Sequence, residues 1–333
     1  MAAVVEQLQE ASRGFDEMTM LKRFLRRFLQ DLVILLARPY VSRELPGWGK
    51  VYGVLVGDYR RDWFWRDAPI RTIRGKLNGY KMRLDLSAWS SRSTYFLGRW
   101  RNLEMQLFVK EVIRPDDTVL DVGANHGMFA LTASSLLGEM GKVICFEPNP
   151  RCLEILDREI AENQIRNILV HRVGLGEQDA ELFLSVPFVN SGEGTFGVSH
   201  YGEEAIYQVK VKVVRGDDLL IDQRPRIIKI DVEGFECNVL AGLAKTINMH
   251  HPIVVTEIVP DHLAACGFSV ADLVSLMRRF GYEGRVLRLT KQSGRYTWTT
   301  EHLRPDSRTN CDAIWIHPAS EGGAIVTANS SMR

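Results

Sequence analysis

The sequence predicts an α/β fold: a doubly wound, mostly parallel sheet with helices on both faces, preceded by an N-terminal extension. Three observations predict it. From Thr118 onward, short apolar runs alternate with segments of helical periodicity. A turn with two glycines, Asp121-Val122-Gly123-Ala124-Asn125-His126-Gly127, joins the first run to a helix. Four of the runs end in a carboxylate (Asp121, Glu147, Asp231 and Glu257), at the strand ends where such sheets bind ligands.

The chain of 333 residues is 45% hydrophobic, enough for one large domain with an extension, which we divide at residue 78. Its net charge of +1 argues neither for nucleic acid nor for a polyacidic partner. The charge is uneven, however. Residues 1–110 hold 20 Lys and Arg against 11 Asp and Glu, and the remainder holds 22 against 30. Five scattered cysteines form no C-x-x-C pair or zinc spacing, which suits a reducing compartment. The N-terminus reads as neither a secretory signal nor a membrane span, so a cytoplasmic chain is expected.

In the extension, Leu21, Phe24, Leu25, Phe28, Leu29, Leu32, Val33 and Leu36 follow the i, i+3, i+4, i+7 spacing of one helical face, predicting a helix over 21–38. Lys22, Arg23, Arg26 and Arg27 decorate its other side. Such a stripe usually packs on its own protein or on a second copy; the competing reading is peripheral contact with an anionic membrane. Trp63-Phe64-Trp65, among Arg60, Arg61 and Arg66, has the same two readings. Asn78-Gly79 followed by KMRLDL predicts a short β element, and LEMQLFVKEV predicts a helix ended by Pro115.

The main domain then reads strand VLDVG, a helix from Gly127, strand KVICFEPNP, a helix through CLEILDREIAEN and strand NILVHRVGL. Alternating AELFLSV and QVKVKVV follow, then RIIKIDVEG, the helix CNVLAGLAKTI and the strand PIVVTEI. The helix VADLVSLMRRF precedes RVLRL and DAIWIH, and a strand reached without an intervening helix is expected to run antiparallel. Residues 319–333 read as a disordered tail.

The first turn offers close backbone approach and the free N–H groups of a helix start, yet it lacks G-x-G-x-x-G and G-K-[ST]. Glu147 ends the second strand, where a carboxylate can take both hydroxyls of a ribose. Together these features call for a ribose and an amino-acid moiety in one molecule, as in S-adenosylmethionine.

VLDVGANHG, FEPNP, VKVVRGDDL and IIKIDVEGFECNVLAG resemble the FkbM family of S-adenosylmethionine-dependent methyltransferases, over a stretch from about Gly79 to about Pro318. The resemblance implies the class I, Rossmann-like methyltransferase fold, with seven strands and the last antiparallel. It also implies methyl transfer to a hydroxyl, often of a sugar or polyketide. Carried over by position, Asp121, Gly123, Asn125 and Gly127 form the loop under the methionine part and Glu147 meets the ribose. The Val173-Gly174-Leu175 turn faces the adenine, and His126 stands where an aliphatic or aromatic residue is more usual.

Lys229 and Asp231 share one side of a strand expected to be buried on both faces, so the lysine needs Asp231, Glu233 or Glu257 beside it. A hydroxyl acceptor needs a base, and Asp231, Glu233 and Glu257 are the candidates, with Lys229 tuning the carboxylate. No metal-ligand set is read. Gly192-Glu193-Gly194-Thr195-Phe196-Gly197 is either a flap over the site or a plain loop.

Three other functions compete. A base methyltransferase is disfavoured because I-D-V-E stands where N-P-P-Y or D-P-P-Y is needed. The glycine spacing disfavours a nicotinamide oxidoreductase. A non-catalytic membrane-associated protein rests on the basic helix alone. A glycan or small-molecule hydroxyl is therefore the expected substrate, with homo-oligomerisation left open.

Overall fold

The computed structural model describes residues 2–187, 192–197, 206–292 and 294–329, and for residues 2–19 only the helical path. The chain divides into two compact units, residues 1–76 with 81–101, and residues 77–80 with 102–333. The division therefore does not fall at residue 78. Strand β1 (Ile70–Arg74) pairs antiparallel with β2 (Lys81–Asp85), so the strand after the Asn78-Gly79 turn folds back onto the first unit.

Within the first unit, helix α1 runs from Ala2 to Ser42, longer than the apolar stripe alone required. Its inner side carries Gln30, Ala37 and Val41, all buried. Trp65 is fully buried, packs edge-on against Phe96 and donates its indole N–H to the Val56 carbonyl at 2.9 Å. Trp63 is exposed, so the two tryptophans of the triplet part company.

In the second unit, the strands in chain order are β3 (Thr118–Val122), β4 (Lys142–Phe146), β5 (Ile168–His171), β6 (Gly174–Gly176), β7 (Ala180–Pro187), β8 (Ile206–Arg215), β9 (Pro225–Ile230), β10 (Ile253–Ile258), β11 (Glu283–Gln292), β12 (Arg295–His302) and β13 (Cys311–Ile316). Eight of them form one sheet in the order β12-β11-β13-β10-β9-β3-β4-β5. Strands β5, β4, β3, β9 and β10 run parallel, while β13 runs antiparallel between β10 and β11. This is the doubly wound class I arrangement, widened by one strand because β12 returns from β11 as a hairpin. The central strands β3 and β9 are almost wholly buried, which explains their unbroken Val, Ile and Leu runs.

The alternating segments AELFLSV and QVKVKVV lie outside that sheet. With β6 they form a separate three-stranded sheet, β6-β8-β7, whose wetted face accounts for the alternation. Residues 319–329 are ordered where disorder was expected. A short helix, Gly323–Ala328, buries Val326, and the Asn329 carbonyl accepts the N–H of Thr300. Its Ala-Ile-Val run supplies apolar surface that composition over the whole tail diluted. None of the described helices is long and apolar enough to cross a membrane.

Candidate active site

The strand order reverses between β3 and β9, and the crevice at their carboxyl ends is where the acids gather. Gly123 has φ 80°, and a Cβ there would lie 1.9 Å from the carbonyl oxygen of Asp231. Gly127 has φ 82°, and its Cβ would meet Leu156 at 2.6 Å. Both glycines thus admit neighbouring protein, packing the first turn against the end of β9 and against the helix Pro150–Glu162.

A cleft opens above this turn, with about 570 Å³ of empty space counting the open solvent at its mouth. Gly123, Asn125, Glu147, Gly174, Asp231 and Glu233 line it, among apolar walls from Phe146, Leu175, Phe196 and Phe235. Four of the ten residues proposed from the sequence stand behind the wall. Asp121 and Gly127 are under the turn, while Lys229 and Glu257 support the lining carboxylates.

Glu147 is buried at the end of β4. Its Oε2 accepts the N–H of Asn125 at 2.7 Å and its Oε1 that of Asn149 at 2.8 Å. Burial nonetheless raises its pKa to about 7, because those two hydrogen bonds offset only part of the desolvation. Asn125 itself takes the left-handed conformation, φ 51°, which asparagine tolerates.

The ionisable residues behind β9 are layered. Lys229 Nζ lies 2.8 Å from Asp231 and 3.9 Å from the fully buried Asp121. Burial would lower the lysine's pKa, but the two carboxylates hold it above its ordinary value. Burial pushes Asp121 up to about 6 against the pull of Lys229. At Asp231 burial is outweighed by Lys229 and by a hydrogen bond with Glu257, so this carboxyl stays below its ordinary range. Glu257 is driven well up, chiefly by the charge of Asp231 and then by burial.

Glu233 departs from its neighbours in two ways. It has φ 53°, a left-handed conformation rare for a side chain of this size. Thr195 holds it there by donating to the Glu233 carbonyl at 2.9 Å. Its Oε2 also lies 2.6 Å from Nδ1 of His262, on the helix Pro260–Ala265. Burial raises Glu233 while His262 opposes the rise, and the bond to Glu233 in turn raises His262.

The reading of the sequence missed His262, which lies 29 positions beyond Glu233 and outside any short motif. It also missed Glu236, whose Oε1 accepts the N–H groups of Val232 at 3.3 Å and Gly234 at 3.2 Å, shaping the turn after β9. The second acid of the E-G-F-E run was the available signal. His126 is held neutral by burial, its pKa lowered to about 4.

The segment Gly192–Gly197 roofs the cleft. Asn125 Nδ2 donates to the Gly192 carbonyl at 3.2 Å, Thr195 bridges to Ser185, and Phe196 packs on Phe235 with centroids 5.0 Å apart.

Residues 121–283, from the end of β3 to the start of β11, match the methyltransferase FkbM domain. The chain carries an FkbM methyltransferase domain. Among curated relatives, the hexuronic acid methyltransferase AglP of Haloferax volcanii is 28% identical over 208 residues, 59% of this chain and 79% of AglP. Methyltransferase 1 of Beauveria bassiana is 29% identical over 39% of this chain and 59% of its own length. Among solved structures, the FkbM methyltransferase of Methylobacillus flagellatus superposes over 85% of this chain and 58% of that one, at 17% identity and a TM-score of 0.37. The domain match over residues 121–283 is that of a methyltransferase, and its cofactor is S-adenosylmethionine.

Proposed function

We propose that this FkbM methyltransferase transfers its methyl group to a hydroxyl oxygen of a saccharide, one containing a uronic acid residue in the first instance. The sugar class rests on AglP, a hexuronic acid methyltransferase. The oxygen class rests on the carboxylates of the cleft.

The cleft residues fit the cofactor. Gly123 and Asn125 would hold its amino-acid end, Glu147 its ribose hydroxyls, and Gly174 with Leu175 and Phe146 its adenine. Asp121 and Gly127 would act indirectly, through Lys229 and through the shape of the turn. When bound, S-adenosylmethionine supplies a methyl group already activated by the sulfonium. The protein's remaining tasks are to orient the acceptor and receive its proton.

The observation that carries the reading is the Glu233–His262 pair. One carboxylate oxygen of Glu233 is engaged by the imidazole, leaving the other for a hydroxyl in the cleft. Its raised pKa makes it a better proton acceptor than Asp231, and His262 can carry the balancing charge. A strained backbone held by Thr195 is the kind of cost that persists where geometry serves chemistry. Asp231, kept ionised by Lys229, accepts a hydrogen bond from the acceptor, and Glu257 donates to Asp231.

A hexuronic acid offers a carboxylate oxygen as well as hydroxyls. A cleft walled by Asp231 and Glu233 repels an anion and favours the hydroxyl. The test is to incubate the enzyme with methyl-labelled cofactor and a panel of glucuronides, galacturonides and neutral glycosides. Label retained through mild base, as an ether, supports the proposal; label lost as a methyl ester overturns it.

A further inference from the structure

Helix α1 is amphipathic the wrong way round for a soluble protein. Its polar side faces the body: Gln30 is buried and donates to the Phe64 carbonyl at 2.7 Å, and Arg26 pairs with Asp67 at 2.8 Å. Arg27 donates to the Asp67 carbonyl at 2.7 Å. With that side engaged, the apolar stripe expected to pack on the body faces outward. Phe24 is 68% exposed and Leu35 70%, and Leu21, Phe28, Leu32 and Leu36 are exposed with them. At 3.6 residues per turn the arc spans roughly 140° of the helix, wider than the seam of a two-stranded coiled coil.

We infer that the outward face of α1 is a docking surface for a bilayer bearing anionic headgroups, in which the helix lies flat with its apolar arc among the acyl chains. Charge selects this occupant. Residues 20–101 hold 18 Lys and Arg against 6 Asp and Glu, and Lys22, which is exposed, borders the arc. A second copy would bring two such cationic surfaces together, whereas an anionic bilayer neutralises them. Trp63 and Tyr59, also exposed in the same unit, are the side chains favoured at the headgroup level. The helix is too polar to span, so its apolar arc is used at the interface.

The test is co-sedimentation of the full chain with phosphatidylcholine vesicles, with and without phosphatidylglycerol, alongside light scattering. The wild type is expected to pellet with the anionic vesicles, at least tenfold less with the neutral ones, and less as salt is raised. Phe24→Ser/Phe28→Ser/Leu32→Ser alters only exposed side chains, so the body should remain folded by circular dichroism while binding is lost. Lys22→Glu/Arg23→Glu should weaken binding roughly tenfold or more. Pelleting unaffected by the serine variant overturns the proposal. So does a wild type that ignores vesicles and scatters as a dimer that the serine variant splits.

Discussion

Nδ1 of His262 lies 2.6 Å from Oε2 of Glu233, and Glu233 holds a backbone conformation that few glutamates adopt. Glu233→Gln should keep the shape of the cleft while removing the proton acceptor. Turnover is expected to fall by roughly 10²- to 10⁴-fold, with S-adenosylhomocysteine affinity changed by less than about threefold. His262→Ala should cost less, because His262 acts through Glu233, and it should shift the acid limb of the pH–rate profile. Full turnover in Glu233→Gln would reassign the base to Asp231.

Glu147 provides a test of cofactor placement. Glu147→Gln puts an amide N–H against at least one of the two N–H donors that the carboxylate now accepts, and removes the charge that the ribose would meet. A loss of ~1.5–3 kcal/mol in S-adenosylhomocysteine binding, about ten- to a hundredfold, is expected by titration calorimetry. Unchanged affinity would place the ribose elsewhere.

Lys229 is the only cation within ion-pair distance of Asp121 among the described residues, and it also pairs with Asp231. Lys229→Met should therefore destabilise the fold by ~3–5 kcal/mol in urea unfolding, through the stranded carboxylates more than through lost attraction. Adding Asp121→Asn should recover part of that loss. If the two changes simply summed, the residues would not be coupled.

Burial sets a pH dependence whose sign is fixed. Asp121 is raised from 3.8 to about 6, and Glu147 and Glu236 from 4.5 to about 7. The unfolded chain loses these protons first, so between the ordinary values and about 7 the native state binds more protons, and stability falls as pH rises. Asp231 and His126 have the opposite shift. The stabilisation from Asp231 is lost only as pH falls below the ordinary 3.8, and that from His126 is complete once pH passes the ordinary 6.5, so the raised carboxyls set the sign above about 6.5. The melting temperature of the ligand-free protein should thus decline across that upper window. S-adenosylhomocysteine, whose ribose favours ionised Glu147, should bind more tightly as pH rises through about 7. A melting temperature climbing across the same interval would contradict these assignments.

The parts of the molecule legible in the sequence were those with local causes. Continuous apolar runs marked β3, β4, β9 and β10, and the acids at their ends marked the crevice. Alternation marked β7 and β8 as strands but could not say that they leave the main sheet, since pairing partners are not encoded by period. The glycines of the first turn were legible as a close approach, though not that a Cβ on them would meet the Asp231 carbonyl and Leu156. His262 reaches Glu233 only because β10, which leads into its helix, lies parallel beside β9, a relation that spacing does not carry. The stripe on α1 was legible as amphipathic. Its outward orientation was not, because that depends on Gln30, Arg26 and Arg27 finding acceptors in residues 64–67.

The central claim is that Glu233, backed by His262, takes the proton of a sugar hydroxyl as it is methylated. The most direct measurement is single-turnover methyl transfer from labelled S-adenosylmethionine to a uronic-acid glycoside, comparing wild type with Glu233→Gln at saturating cofactor. The account predicts a labelled ether from the wild type and a rate at least a hundredfold lower from the variant. Equal rates, or label recovered from the wild type as an ester, would contradict it.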